Sequence, residues 1–78
     1  MREFSIRLRS VQEVQEFVSI ATAAPFSVQV RCAEYQANGK SFMEMFCLDF
    51  NQTLVAALDC DEPSFEGFRQ SVSHFVAK

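Results

Sequence analysis

A chain of 78 residues has room for one domain, over 1–78, and its 49% apolar content, with nine Phe, supplies a core that needs neither disulfides nor a metal. The net charge of −3 argues against a nucleic-acid partner, because no basic stripe is available to neutralise phosphates. No apolar run approaches the ~20 residues that span a bilayer, and no signal-peptide core follows the first residues. These features predict a cytoplasmic protein with no membrane partner.

The three cysteines, Cys32, Cys47 and Cys60, are odd in number and widely spaced, with no C-x-x-C pair. This pattern indicates neither a disulfide framework nor a zinc knuckle, and it predicts three reduced thiols. A metal site built from these cysteines and His74 is a much weaker alternative. We therefore expect no metal and no cofactor.

The first half of the chain predicts a strand, a helix and a second strand. Apolar and polar residues alternate over 3–8, which is the period of a strand with one buried face. Ser10 and Glu13 form a capping box, and the helix that begins there runs to about Ala23. Its apolar stripe consists of Val11, Val14, Phe17, Val18 and Ala21. Alternation resumes over 26–32, the second strand.

The middle of the chain predicts an edge strand, a turn and a short helix. Residues 35–37 are a short edge strand, and Asn38 with Gly39 favours a turn with positive φ. Ser41 is then the N-cap of a helix over 41–48, with Glu44 completing a capping box. This helix carries more large apolar side chains than one buried face accepts, which indicates a contact surface.

The last part predicts a central strand and a third helix. The strand over 53–60 is apolar on both sides near its middle, which is typical of a strand with neighbours on each side. Asp61 caps the helix, whose buried stripe is Phe65, Phe68, Val72, Phe75 and Val76. His74 falls nearly opposite that stripe and is expected to be solvated. The order β-α-β-β-α-β-α predicts an α+β fold, a four-stranded antiparallel sheet with three helices on one face.

This order, together with Gly-Lys-Ser-Phe-Met-Glu-Met-Phe-Cys-Leu at 39–48, resembles HPr, the histidine-containing phosphocarrier family of the bacterial sugar phosphotransferase system. The family pattern is Lys-Ser, an aliphatic residue, Met, Gly, two apolar residues, Ser and Leu. Lys40, Ser41, Met43 and Leu48 match it outright, and Phe42, Met45 and Phe46 match it in character. The resemblance implies an open-faced β-sandwich. A ferredoxin-like domain shares the element order but needs a longer second helix.

The resemblance also implies functional positions. Ser41 falls on the serine that a dedicated kinase phosphorylates in many Gram-positive family members, and Phe42, Met43 and Phe46 fall on the apolar patch that docks on partners. The implied partners are proteins: a serine kinase, a transcription regulator or components of the phosphotransferase system. Glu44 replaces the family glycine and places a charge inside that patch.

The phosphocarrier histidine is missing. Its position falls between Ser10 and Gln12, at Ser10, Val11 or Gln12, and the Arg-Pro that follows it in the family is absent too. Glu13 and Glu16 add negative charge where a bound anion requires the opposite. A family paralogue that acts only in regulation carries Gln at this position, which makes Gln12 suggestive.

Three functional hypotheses follow. The first is a regulatory relative of HPr that binds proteins through 41–48, with phosphorylation at Ser41 as a switch and no histidine phosphotransfer. The alternative is a degenerate HPr fold kept as an interaction or homodimerisation module. An enzyme is disfavoured, because the chain has no Cys/His or Ser/His/Asp arrangement and no glycine-rich phosphate loop.

Overall fold

The computed structural model describes residues 2–48 and 51–77. The strands are β1 (Arg2–Ile6), β2 (Ser27–Cys32), β3 (Tyr35–Asn38) and β4 (Leu54–Asp59), and they form one sheet in the order β1-β4-β2-β3 with antiparallel neighbours. The helices are α1 (Val11–Ala23), α2 (Phe42–Met45) and α3 (Glu62–Ser71), followed by a 3-10 turn over Ser73–Phe75. The α+β fold predicted from the sequence, with a four-stranded antiparallel sheet and three helices, is confirmed.

Strand β4 lies in the middle of the sheet, as its apolar composition predicts. Its Ala56 is paired with Phe4 on one side and with Val30 on the other. Leu54, Ala56, Ala57 and Leu58 are all buried. A strand paired along both edges and largely buried needs apolar side chains on both faces, which explains the continuous run in the sequence.

The helices contribute aromatic side chains to the core. Phe68 of α3 is 6% exposed, and its ring centroid lies 6.0 Å from Phe17 of α1, 5.9 Å from Phe26 and 6.4 Å from Phe4 of β1. The Phe17 and Phe26 rings meet it edge to face, the arrangement favoured by the aromatic quadrupole. These three contacts join α1, α3 and the sheet at one residue.

The predicted stripe of α1 needs one correction. Val14, Phe17, Val18 and Ala21 are buried, but Val11 is 56% exposed. Val11 is the first residue of the helix, directly after the Ser10 cap. Helical spacing places Val11 in line with the stripe, but at the first position of the helix its side chain is exposed to water.

The predicted ends of β1 and α3 are wrong. Strand β1 stops at Ile6, although Leu8 beyond it is fully buried, and α3 stops at Ser71 rather than continuing through Val76. Phe75 lies in the 3-10 turn and is buried in the core, and Val76 forms an antiparallel bridge with Ile6. Leaving the helix lets the chain bury Phe75 and pair backbone groups along the outer edge of β1.

The turns also differ from the prediction. Neither Asn38 nor Gly39 has a positive φ; that conformation occurs at Ala33 (φ 54°), in the hairpin between β2 and β3. The turn at Asn38 is instead closed by hydrogen bonds. The Lys40 N–H donates to Asn38 Oδ1 at 2.9 Å, and the Ser41 N–H donates to the Asn38 carbonyl at 2.9 Å. An Asx turn therefore replaces the predicted positive-φ turn.

Asp61 caps α3 as predicted, because its Oδ1 accepts the Ser64 N–H at 3.0 Å. Hydrogen bonding from Ser64 lowers the pKa of the Asp61 carboxyl below its ordinary value. A lowered folded-state pKa gives a stabilisation that is present above the unfolded pKa, about 3.9, and is lost as the pH falls through the folded pKa.

The charge of the Asp61 cap is expected to stabilise the fold at neutral pH. We expect Asp61→Asn, which keeps a capping oxygen, to have a lower melting temperature than the wild type at neutral pH and the same melting temperature once Asp61 is protonated. Melting curves between about pH 2 and pH 7 measure this convergence; a difference that stays constant with pH would contradict it.

Candidate functional site on helix α2

Helix α2 begins where the sequence predicts and ends sooner. Ser41 is its N-cap, with Oγ accepting the Glu44 N–H at 3.4 Å. The helix covers only Phe42–Met45, not the predicted 41–48. The Cys47 and Leu48 N–H groups donate three residues back, to Glu44 at 3.0 Å and Met45 at 3.2 Å. The chain thus tightens into 3-10-type turns, which are common at helix ends.

The short helix leaves apolar side chains in water. Met45 is fully buried. Met43 lies two residues earlier, so its side chain points to the opposite side of the helix, and it is 83% exposed. Phe46 is 43% exposed, and its ring centroid is 4.5 Å from that of the half-buried Phe42. We call Phe42, Met43 and Phe46 the α2 patch. The predicted partner-binding residues therefore lie together on one surface.

The start of α2 is fixed to the end of α1. Lys40 Nζ donates to the carbonyl of Ala24, the C-cap of α1, at 2.7 Å. A cation at a helix C-terminus meets unpaired carbonyls and the negative end of the dipole, so this contact is favourable. Glu44 turns the other way, and its carboxylate accepts the Asn38 N–H at 3.3 Å. The two charges nearest Ser41 are thus directed toward α1 and β3.

The predicted degenerate phosphohistidine region lies at the opposite end of α1. Ser10 caps the helix, with Oγ accepting the Glu13 N–H at 3.2 Å, while Val11 and Gln12 are exposed. Glu13 Oε1 also accepts the Arg9 N–H at 2.7 Å. A helix of 13 residues is about 20 Å long. The structure therefore does not bring Ser10, Val11 and Gln12 together with Ser41.

His74 is exposed, as predicted, but it has a neighbour that the sequence pattern does not reveal. Its Nε2 lies 3.4 Å from Glu16 Oε2, on the flank of α1 rather than at the helix start. The side chains of His74 and Glu16 are 60% and 47% exposed. The contact joins residues 58 positions apart, so only the folded chain identifies it.

The three cysteines lie in different surroundings. Burial raises the pKa of the Cys60 thiol, and the nearby Asp61 carboxylate raises it further, which makes this thiol a poor nucleophile at neutral pH. Cys32 is buried and Cys47 is exposed. Within 2–48 and 51–77, no three His, Cys, Asp or Glu side chains group closely enough to hold a metal ion. No helix in the same ranges is long and apolar enough to cross a membrane.

Comparison with known proteins identifies the fold. No family model matches this chain, and no curated protein sequence matches it. A solved structure of the histidine-containing phosphocarrier protein, from work on the divergence of Mycoplasma from Gram-positive bacteria, is similar with a TM-score of 0.73. The match covers 99% of this chain and 100% of that chain, at 12% sequence identity. The chain has the HPr fold. The four-residue α2 also rules out the ferredoxin-like alternative, which requires a long second helix.

The candidate functional residues lie at two separate places in this fold. The α2 patch and Ser41 lie beside the C-terminal end of α1, where Lys40 makes its contact. The α1 N-terminus carries the serine cap Ser10 and, three residues later, Glu13. At 12% identity the likeness shows the fold alone, so function has to be argued from these side chains.

Proposed function

We propose that this chain is an HPr-fold protein related to the phosphotransferase system that acts by binding other proteins through the α2 patch. The observation that carries the proposal is the exposure of Met43, at 83%, and Phe46, at 43%, on a helix of four residues. Contiguous apolar side chains in water are typical of a contact surface. The partners implied are a serine kinase, a transcription regulator or components of the phosphotransferase system.

Phosphoryl transfer through histidine is not part of the proposal. Ser10, Val11 and Gln12 offer no imidazole, and Glu13 places a carboxylate at the start of α1. A phosphoryl group there would be repelled by that carboxylate rather than stabilised. His74, the one histidine of the sequence, stands beside the Glu16 carboxylate, away from a helix N-terminus.

Ser41 is the proposed switch. Its hydroxyl oxygen accepts from the Glu44 N–H, and it immediately precedes the α2 patch. Phosphorylation would add about −1.5 to −2 charges next to Phe42 and Met43, which weakens apolar association by requiring that charge to be desolvated. A dianion would also attract the ammonium of Lys40, which now bonds to Ala24. The modification would therefore act on the patch and on its attachment to α1 together.

The test is phosphorylation of the purified protein under two conditions, ATP with the serine kinase of the HPr family and phosphoenolpyruvate with Enzyme I. We expect ATP-dependent label on Ser41, read by intact mass and site mapping, and none from phosphoenolpyruvate. Ser41→Ala should lose the label. Ser10→Ala is the matched control, because Ser10 is also an N-cap with a glutamate three residues later. Label from phosphoenolpyruvate on His74 would overturn the proposal.

The same assay tests docking on the patch. Met43→Glu should slow labelling of Ser41, since it places a charge on the surface that we propose the kinase contacts. Val11→Glu is the control, because Val11 is also exposed and apolar, at 56%, but lies at the start of α1. Equal labelling rates in both variants would count against the patch.

Self-association through the patch is the second candidate function, and the same exposed side chains favour it. Light scattering separates the two. The first proposal expects a stable monomer or a weak dimer, and the second expects a tight homodimer. A dimer that Phe46→Glu abolishes and Val11→Glu leaves intact would instead support a homodimerisation module.

A further inference from the structure

A groove between α1 and α3 is a second surface that the function proposed for α2 does not use. It has a volume of about 610 Å³. Its nine described lining residues come from the last turn of α1, from the segment that leads into β2 and from α3. We call the surface formed by these parts of α1 and α3, within 20–26 and 64–71, the α1–α3 groove. None of the described residues of α2 lines it.

The floor of the α1–α3 groove is apolar. It is formed by Ile20, Phe26 and Phe68. Phe68 is buried, and the Phe26 ring centroid lies 5.9 Å from that of Phe68. Ile20 and Phe26 pack against the core but are only half-buried, so part of each side chain remains in water. Covering this floor would therefore remove apolar surface from water, which is favourable.

The walls of the groove carry small side chains. Ala23 lies on the α1 side, and Ser64, Gly67 and Ser71 lie on the α3 side. The three α3 residues are three and four positions apart, so they share one face of the helix. Ala23, Gly67 and Ser71 are exposed. Small side chains at these positions allow another helix to approach the backbone of α3 closely.

Gly67 has no structural role within the chain itself. Its φ is not positive, so its backbone conformation does not require glycine. Within the described residues, a Cβ at this position would meet nothing within 4 Å. A glycine in a helix interior nevertheless costs about 1 kcal/mol relative to alanine. Close approach of another backbone is a physical reason for glycine here, and that backbone must come from outside the chain.

The groove also lacks charge. None of its nine described lining residues is charged, although 22% of the chain is. Pro63 and Gln70, one helical turn from Gly67 on the exposed side of α3, are uncharged too. Depletion of charged residues is the compositional mark of the centre of an interface. Two copies of a chain with a net charge of −3 repel each other, so they meet most favourably on an uncharged face.

The α2 patch is less suited to a second copy. Glu44 lies within helix α2, between Met43 and Met45, and its side chain is exposed. Two copies meeting through α2 would bring their Glu44 carboxylates close together, which is unfavourable. The uncharged α1–α3 groove has no such obstacle. The charge distribution thus favours the groove over the patch as the surface for self-association.

We propose that the α1–α3 groove binds α3 of a second copy of this chain. In a two-fold dimer, α3 of each copy lies in the groove of the other, with both Gly67 residues near the axis. A standard interface uses ~20–30 residues on each side, so a groove lined by nine described residues predicts a weak, concentration-dependent dimer. This proposal does not rest on the function proposed for α2.

The first test measures the dimer dissociation constant by sedimentation equilibrium and follows backbone amide shifts up to about 1 mM protein. We expect concentration-dependent shifts over 20–26 and 64–71. Gly67→Gln should weaken the dimer at least about tenfold, because the new side chain occupies the place of the partner helix. The variant should fold, since glutamine favours a helix more than glycine does. Arg69→Gln is the control, because Arg69 is exposed on α3 but does not line the groove.

A second pair of variants tests the α1 side of the groove. Ala23→Glu should weaken the dimer at least about tenfold, because it introduces a charge that association must desolvate. Thr22→Glu is the matched control. Thr22 is the neighbouring residue of α1 and is also exposed, but it does not line the groove. Its dimer should dissociate with the same constant as the wild type.

The outcomes distinguish this dimer from one through the α2 patch. Phe46→Glu should leave dimerisation through the groove unchanged. A dimer that Phe46→Glu abolishes and Gly67→Gln preserves would overturn the proposal. So would a chain that stays monomeric up to about 1 mM. If amides over 64–71 of that monomer shift when octanoate is added, the groove instead holds a small apolar molecule.

Discussion

Replacing Phe68 by alanine is expected to lower the free energy of unfolding by about 3–5 kcal/mol. The ring is 6% exposed and contacts Phe4, Phe17 and Phe26, so its removal opens a void where α1, α3 and the sheet meet. Proteins of 78 residues have a total stability of roughly 4–12 kcal/mol. The substitution should therefore remove a large share of the stability of the chain.

Urea unfolding and thermal melting measure this loss, and each kcal/mol corresponds to about 4–8 °C at this chain length. Phe46→Ala is the matched control, because it removes the same atoms from a ring that is 43% exposed. We expect it to cost only about 1 kcal/mol, mainly the contact with Phe42. Equal losses in the two variants would mean that Phe46 belongs to the core, which would also weaken the case for the α2 patch.

The parts of the fold that local sequence determines were predictable. The caps at Ser10, Ser41 and Asp61 depend on hydrogen bonds that span three residues, and all three form. The central position of β4 follows from its burial on both faces, which its composition reveals. Phe68 could be assigned to the core because helical spacing alone places it with Phe65 and Val72.

The parts that depend on distant contacts were not predictable. Helical periodicity extends α3 through Val76, but the chain leaves the helix because Val76 gains a partner in Ile6, at the other end of the sequence. The contact between Lys40 and Ala24 and that between His74 and Glu16 likewise require the assembled fold.

The candidate site on α2 lies between these cases. The sequence contains more large apolar side chains over 41–48 than a single buried face accepts, and this excess predicts an exposed patch. Which side chains are exposed depends on where the helix ends. Because α2 stops at Met45, Leu48 turns back into the core while Met43 and Phe46 remain in water.

The same Gly→Ala change is expected to have opposite effects at the two glycines of the chain. At Gly39, a Cβ would lie 2.7 Å from Val28 Cγ1 and 3.2 Å from the Val28 carbonyl oxygen. Val28 is 1% exposed and must shift to admit the new methyl group, so Gly39→Ala should destabilise by about 1–3 kcal/mol. At Gly67, exposed in α3, a Cβ meets nothing within 4 Å, and Gly67→Ala should stabilise by about 0.5–1 kcal/mol.

Urea unfolding of the two variants tests both signs in one experiment. The glycine at 39 is required by space rather than by backbone conformation, because its φ is not positive. Its N–H donates to the Val28 carbonyl at 2.8 Å, and Lys40 and Ser41 follow directly. A Cβ that pushes this segment away from β2 would therefore also shift the Lys40 contact with α1 and the start of α2. Gly39→Ala should then slow the proposed labelling of Ser41, whereas Gly67→Ala should not. Stabilisation by both substitutions would show that the approach of Gly39 to Val28 is not tight.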